Sequence, residues 1–166
     1  RFFNDFHIQA SAKIHLRIHG IFVTLIADME IEPFGMRFFM NETIDYYNQN
    51  AEAFVAGTQN ADMSDHYRIF LPYLLPGGKL LDLGCGSGRD SAYFASVGFE
   101  VTAVDGSEQL CKRVRENHGM HALCIQFEEL SFKSEFDAVW ACASLLHIKR
   151  DELEEVIIRC MNALKE

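Results

Sequence analysis

Three glycines at alternate positions, Gly84, Gly86 and Gly88, stand between a short apolar run that carries Asp82 and a segment of helical pattern. A second apolar run, Glu100 to Asp105, follows and ends in another carboxylate. Glycine lets a backbone turn sharply and approach a ligand closely, because no Cβ intervenes. A carboxylate at the tip of the next strand can accept hydrogen bonds from both hydroxyls of a ribose, as the acidic residue about 20 positions on does in dinucleotide folds. The residue types and their spacing point to a ligand with an adenosine-like ribose.

Two ligand classes compete for this pattern. A dinucleotide fingerprint needs G-x-G-x-x-G/A, but counting from Gly84 places Arg89 where the third small residue belongs. The pattern present is D-x-G-x-G-x-G, with Asp82 inside the strand end. A pyrophosphate would be repelled by Asp82, whereas a ligand carrying an ammonium and a sulfonium would tolerate it. The sign of the charge favours S-adenosylmethionine over NAD, and an NAD-dependent oxidoreductase stands as a third reading.

The elements that must hold these residues are legible in the hydrophobic pattern. A helix beginning at Asn41 places Ile44, Tyr47, Ala51, Phe54 and Val55 on one face. A second helical stretch runs from Ser64 to about Leu75, bent or shortened by Pro72, and Pro76 to Gly78 forms a turn. Strands and helices then alternate. The pattern predicts strands at Lys79 to Gly84, Glu100 to Asp105, Ala122 to Phe127 and Phe136 to Leu146, the last overrunning into a loop. Helices are expected from Gly88 to Val97, closed by Gly98, and from the N-cap Ser107 through Asn117, ended by Gly119. In the last helix Leu153, Val156, Ile157, Cys160, Met161 and Leu164 follow helical spacing, with acidic residues at its start. Such alternation implies an α/β fold: a doubly wound, mostly parallel sheet with helices on both faces. The expected strand order is 3-2-1-4, counting from the Lys79 strand.

Residues 40–166 read as the domain proper. In residues 1–39, Ile14, Leu16 and Ile18 alternate with polar neighbours, a period of two that suits a strand or hairpin. This segment is left open between a native element and upstream translated sequence, since Met29, Met36 and Met40 could each begin a chain.

Composition narrows the class. The net charge is −9, and residues 40–166 supply all of it with 11 Lys/Arg against 20 Asp/Glu. A nucleic-acid partner is not expected, because such binding relies on clustered Lys and Arg. Five cysteines without a CxxC pair or zinc-like spacing read as reduced thiols of a cytoplasmic protein. No apolar run reaches membrane-spanning length, and no metal site is expected.

The "DLGCGSGRD", "VTAVDGS" and "FDAVWACASLLHI" segments together resemble the class I S-adenosylmethionine-dependent methyltransferases, in particular the small-molecule branch that includes tellurite-resistance-type enzymes. The resemblance covers about Met40 to the end. It implies that Asp82 orients the glycine loop and the ligand's amino-acid end, that Gly84, Cys85 and Gly86 line the methionine portion, and that Asp105, flanked by Gly106, takes the ribose. It further implies that Phe127 and Glu128 match the adenine-binding stretch, although many relatives carry an aspartate where Glu128 stands. Ala141 and Cys142 match the loop under the sulfonium, and Tyr46 or Tyr47 the aromatic position that covers the cofactor.

Beside these roles, Cys85 and Cys142 read as small space-fillers, Trp140 as sheet core, and Arg89 as a partner of Asp90 or of glutamates on a solvated face. His147 lies near the expected acceptor pocket, but no catalytic residue is identified. The expected function is methyl transfer to a small molecule, with a non-catalytic S-adenosylmethionine-binding module or an inert fragment as the alternative. The chain is expected to stop short of the last strands of the family fold. Its apolar fourth strand would then be exposed along one edge, favouring association and little turnover.

Overall fold

The computed structural model describes residues 40–166 together with the backbone of residues 14–18 and 21–25. The period-two segment forms an antiparallel pair, β1 (Ile14–Ile18) with β2 (Ile21–Leu25), in the register Ile14↔Leu25 to Ile18↔Ile21. Met29 and Met36 lie outside the described residues. Helix α1 (Met40–Thr58) follows, then α2 (Ser64–Phe70), extended by a 3-10 turn at Leu71–Tyr73. Pro72 lies within that turn, so the α-helix ends earlier than Leu75. The missing N–H of proline and its ring account for the shortening.

The main sheet comprises β3 (Lys79–Leu83), β4 (Glu100–Asp105), β5 (Ala122–Cys124) and β6 (Ala138–Trp140), all parallel, in the order β5-β4-β3-β6. This is the expected 3-2-1-4 order. Helices α3 (Arg89–Ser96), α4 (Glu108–His118) and α5 (Leu153–Ala163) supply the connections and the last covering element. Ser107 caps α4 by accepting from the Leu110 N–H, and Gly119 closes it in the left-handed region. Such a cap contributes about 1 kcal/mol.

Strand parity divides the core. Leu81, Leu83, Val104 and Val139 belong to one buried cluster with Val156, Cys160 and Ala163 of α5. Leu80, Ala138 and Trp140 belong to a second, with Tyr67 and Phe70 of α2 and Phe94 of α3. Successive side chains of a strand point to opposite faces, so Asp82, two residues from Leu80, faces the α3 side. Trp140, Phe70 and Phe94 are fully buried, each contributing about 1.5–3 kcal/mol of transfer free energy.

Two strands are shorter than their apolar runs. β5 ends at Cys124 and Phe127 falls in a 3-10 turn, Phe127–Glu129, closed by reciprocal bonds between Gln126 and Glu129. β6 covers three residues, and Leu145–His147 forms another 3-10 turn. In both segments the apolar side chains continue into the core after the ladder stops, so hydrophobicity alone overestimates strand length. Met161 is also displaced from the expected apolar stripe, being 42% exposed on α5.

The outer side of β6 is partly met. Leu164 forms a parallel bridge with Phe136; the Lys165 N–H donates to the Phe136 carbonyl at 2.8 Å and the Phe136 N–H to the Ala163 carbonyl at 3.0 Å. The backbone of β2 also lies alongside β6, although the two belong to separate sheets. The expected bare edge is thus bordered by residues from both ends of the chain.

Candidate functional site

The glycine loop leaves the carboxyl end of β3 with Gly84, Gly86 and Gly88 at φ of 74°, 54° and 76°. L side chains rarely adopt this region, so the loop needs glycine for its backbone path. Close packing adds a second reason at all three, since a Cβ on Gly88 would lie 2.9 Å from the Val114 side chain. A Cβ on Gly84 would lie 2.3 Å from the Cβ of Ser144, and one on Gly86 would lie 3.1 Å from the Phe54 ring. The neighbours that press on the loop come from α1, from α4 and from the segment after β6.

Asp105 ends β4 beside this loop. Its Oδ2 accepts the Gly86 N–H at 2.9 Å and its Oδ1 the Ser107 N–H at 2.9 Å. Burial raises its pKa, and the backbone N–H groups of Ser107, Gly86 and Gly106 oppose the shift. An ionised carboxylate offers about four acceptor sites, so two backbone bonds leave capacity for a pair of ribose hydroxyls. Gly106 follows, with Ile44 of α1 against it: a Cβ there would meet the Ile44 side chain at 3.2 Å.

Asp82 is placed differently from the charge argument drawn from sequence. It is 2% exposed and accepts from the Ser91 hydroxyl at the start of α3. Burial first, and then Asp90 and Asp105, raise its pKa to about 8. Discrimination against a pyrophosphate therefore does not rest on an ionised Asp82 turned toward the ligand. The carboxyl instead ties β3 to α3 across the glycine loop. Its raised value carries a sign for stability: the contribution is fully present below the unfolded value, about 3.9, and is lost as pH rises through the folded value. Asp82→Asn should accordingly flatten the fall in stability of the wild type between about pH 4 and pH 8. Denaturant unfolding across that range is the measurement, and parallel profiles for the two proteins would refute it.

Of the two candidate aromatics, Tyr46 is 54% exposed, whereas Tyr47 is half-buried over the site. Burial and then Asp105 raise the Tyr47 pKa. Its hydroxyl shares a 3.0 Å hydrogen bond with Nε2 of His147, whose own pKa burial lowers. Asn48 adds a second tie, its Oδ1 accepting the Ser107 hydroxyl at 2.7 Å and the Gln109 N–H at 3.2 Å. Helix α1 thus lies over the loop, joined to the chain beyond both β4 and β6. Its backbone departs from helical geometry at Asn50 (φ −114°, ψ 15°), where the side-chain amide donates to the Tyr46 carbonyl. Side-chain bonding to the carbonyl four residues back is a recognised cause of helix bending.

The remaining sequence candidates fall around the same edge. Phe127 reaches the loop, its ring 3.5 Å from where a Gly84 Cβ would lie. Oε2 of Glu128 is buried without a hydrogen-bond partner. Ala141 is fully buried and Cys142 half-buried after β6. Burial pushes the Cys142 thiol up to about 12 and the Cys85 thiol well above its ordinary value, which keeps both protonated and weakly nucleophilic. Trp140 is core, its Nε1–H donating to Asp90. Arg89 does pair with Asp90, but in a half-buried setting rather than on a solvated face, and also donates to the Thr58 carbonyl.

Sequence reasoning did not single out Ser144 or Asn48, and it named Asp90 only as a partner of Arg89. Phe54 and Ile44 had been placed on the inner face of α1 without a role at the loop. The signal available for those two was the helical stripe itself. For Ser144 there was none, and for Asp90 only the adjacent Arg89, because Tyr67 and Trp140 come from distant segments.

An orphaned carboxylate oxygen at Glu128 and free acceptor capacity at Asp105 fit a nucleoside, one at the β5 side and the other at the β4 tip. The sheet order and the glycine loop together define a doubly wound α/β domain. Residues 80–166 match the methyltransferase domain family, and the chain belongs to it. It is similar to malonyl-[acyl-carrier protein] O-methyltransferase of Salmonella typhimurium, 34% identical over 109 residues, 59% of this chain and 42% of that protein. It is 31% identical over 87 residues to the cypemycin N-terminal methyltransferase of a Streptomyces species, 51% of this chain and 36% of that protein. The chain therefore spans roughly two fifths of the length of these relatives. A solved TehB-like SAM-dependent methyltransferase from Corynebacterium glutamicum shares its fold at a TM-score of 0.58 and 20% identity, covering 75% of this chain and 68% of that one.

Proposed function

We propose that the chain is the cofactor-binding part of a methyltransferase that moves a methyl group from S-adenosylmethionine to a small-molecule acceptor. The observation that carries this reading is Asp105, held by Gly86 and Ser107 at the carboxyl edge of the sheet within a methyltransferase domain. When bound, the cofactor supplies an electrophilic methyl on a sulfonium that leaves as a neutral thioether.

The chain's own residues bind and align. Asp105 takes the ribose hydroxyls, Phe127 and Glu128 flank the adenine, and Gly84, Cys85 and Gly86 give the methionine portion a close backbone surface. Ala141 and Cys142 would line the part of the site that takes the sulfonium. Tyr47, fixed by His147, covers the site and excludes water, which leaves alignment of the acceptor as the main source of rate. The two ring partners hold each other, so no free base is assigned, and an acceptor with an available lone pair needs none. No described helix is long and apolar enough to cross a membrane, and the five cysteines are free thiols; a cytoplasmic location suits them.

Calorimetry with S-adenosylmethionine, S-adenosylhomocysteine and NAD tests the reading, with both sulfur ligands expected to bind and NAD not. Tighter binding of NAD would overturn it. Methyl turnover on acceptor mixtures separates an enzyme from a module that only binds.

A further inference from the structure

Of the five free thiols, that of Cys124 is the exposed one. Cys124 ends β5, opposite Asp105 in the register with β4. Side chains two apart on a strand share a face, so Cys124 points to the side of Ala122, which packs with Cys111 and Val114 of α4. The thiols of Cys111 and Cys124 reach neighbouring carbonyls. Cys111, fully buried, donates to the Asp105 carbonyl at 3.5 Å and the Leu123 carbonyl at 3.4 Å, and Cys124 to the Gly106 carbonyl at 3.6 Å. The two sulfurs are close enough to act on each other electrostatically. Cys85 belongs to the same cluster but is buried, so a small oxidant meets Cys124 first. An exposed thiol beside one that can resolve it is the arrangement of a reversible disulfide.

The pair touches the segment that carries the proposed ribose carboxylate. The Asp105 carbonyl also accepts the Ile125 N–H at 3.0 Å, a bond that joins the ends of β4 and β5. A bond between the sulfurs would remove both S–H donors from the carbonyls of Asp105 and Gly106. It would also draw the end of β5 toward α4 and shift the backbone at Asp105.

We infer that Cys111 and Cys124 form a redox pair that closes into a disulfide under peroxide and thereby weakens ligand binding at Asp105. The inference rests on the proposed function and adds regulation to that same site. Cys124 gives up its proton and its sulfur attacks one peroxide oxygen; the O–O bond breaks, one water leaves and a sulfenic acid remains. The Cys111 sulfur then displaces the hydroxyl from Cys124, the S–S bond forms, and a second water carries off the Cys111 proton. Two thiols are oxidised and one hydrogen peroxide is reduced to two waters. Burial first, and then Glu108 and Asp105, raise the Cys124 thiol above its ordinary value, so the first step is slow at neutral pH. The pair therefore answers sustained exposure rather than a brief pulse.

The test treats wild type and Cys124→Ser with hydrogen peroxide and measures S-adenosylhomocysteine binding by calorimetry, before and after, with linked peptides mapped by mass spectrometry. Oxidised wild type should show a Cys111–Cys124 link and bind roughly 5- to 150-fold more weakly, the usual range of coupling between two sites. Dithiothreitol should restore the reduced affinity. Cys124→Ser should keep its affinity within about twofold through the same treatment, since its side chain is exposed and lies outside the proposed contacts. Absence of that link, a link that leaves affinity within twofold, or an equal loss in Cys124→Ser would overturn the inference and leave the proposed function standing. If reduced wild type does not bind S-adenosylhomocysteine, both fall.

Discussion

Asp105→Ala is expected to weaken binding of S-adenosylhomocysteine by roughly 30- to 1,000-fold, or about 2–4 kcal/mol. Hydrogen bonds to a charged acceptor contribute about 1.5–3 kcal/mol each and are not additive, so two ribose hydroxyls give this range rather than its double. The same carboxylate also holds the Gly86 and Ser107 N–H groups, so the alanine variant leaves two backbone donors without their partner. Part of the loss could then come from a loosened loop. Asp105→Asn separates the contributions: it keeps one carbonyl acceptor and nearly the same shape but removes the charge, and should fall between wild type and alanine. Calorimetry supplies the affinities and circular dichroism confirms the fold. An alanine variant that stays folded and binds within threefold of wild type would return Asp105 to the role of a strand-end turn residue.

The fold was largely legible because its signals are local. Alternating apolar runs, the Ser107 cap and the Gly119 stop mark β4 and α4 to within a residue. The glycine spacing located the loop, and the acidic tip of β4 located the carboxylate that holds the Gly86 and Ser107 N–H groups. What remained hidden depends on contacts distant in sequence. Tyr47 and His147 are 100 residues apart, and nothing in either neighbourhood announces their hydrogen bond. The ends of β5 and β6 were invisible because apolar residues such as Phe127 and Leu145 stay in the core after the strand has stopped. Asp82 could have been oriented from sequence, since parity sets it on the same face as Leu80. The consequence of that orientation, a buried acid with a raised pKa, needed the presence of Ser91, Asp90 and Asp105 around it.

The largest stability effect is expected at Asp90, a residue that motif reasoning treated only as a neighbour of Arg89. It is 6% exposed and collects four donors from three elements. Its Oδ1 accepts from the Tyr67 hydroxyl at 2.6 Å and from Arg89 Nε at 2.7 Å, and its Oδ2 accepts from Trp140 Nε1 at 2.9 Å and Arg89 Nη2 at 3.0 Å. It thereby joins α2, α3 and β6 beneath the glycine loop. Asp90→Ala would orphan the tyrosine and tryptophan donors and leave the half-buried guanidinium without its counter-charge. Removing one partner of a buried ion pair costs about 3–5 kcal/mol, which for a domain of this size lowers the melting temperature by roughly 6–20 °C. Asp90→Asn should cost less, since one acceptor persists, and should also let Asp82 ionise at lower pH by removing a neighbouring negative charge. Trp140 is the sole tryptophan, so its fluorescence reports the loss of the Nε1 bond directly in either variant. A melting temperature for Asp90→Ala within about 2 °C of wild type, with tryptophan emission unchanged, would show that the network does not hold these three elements together.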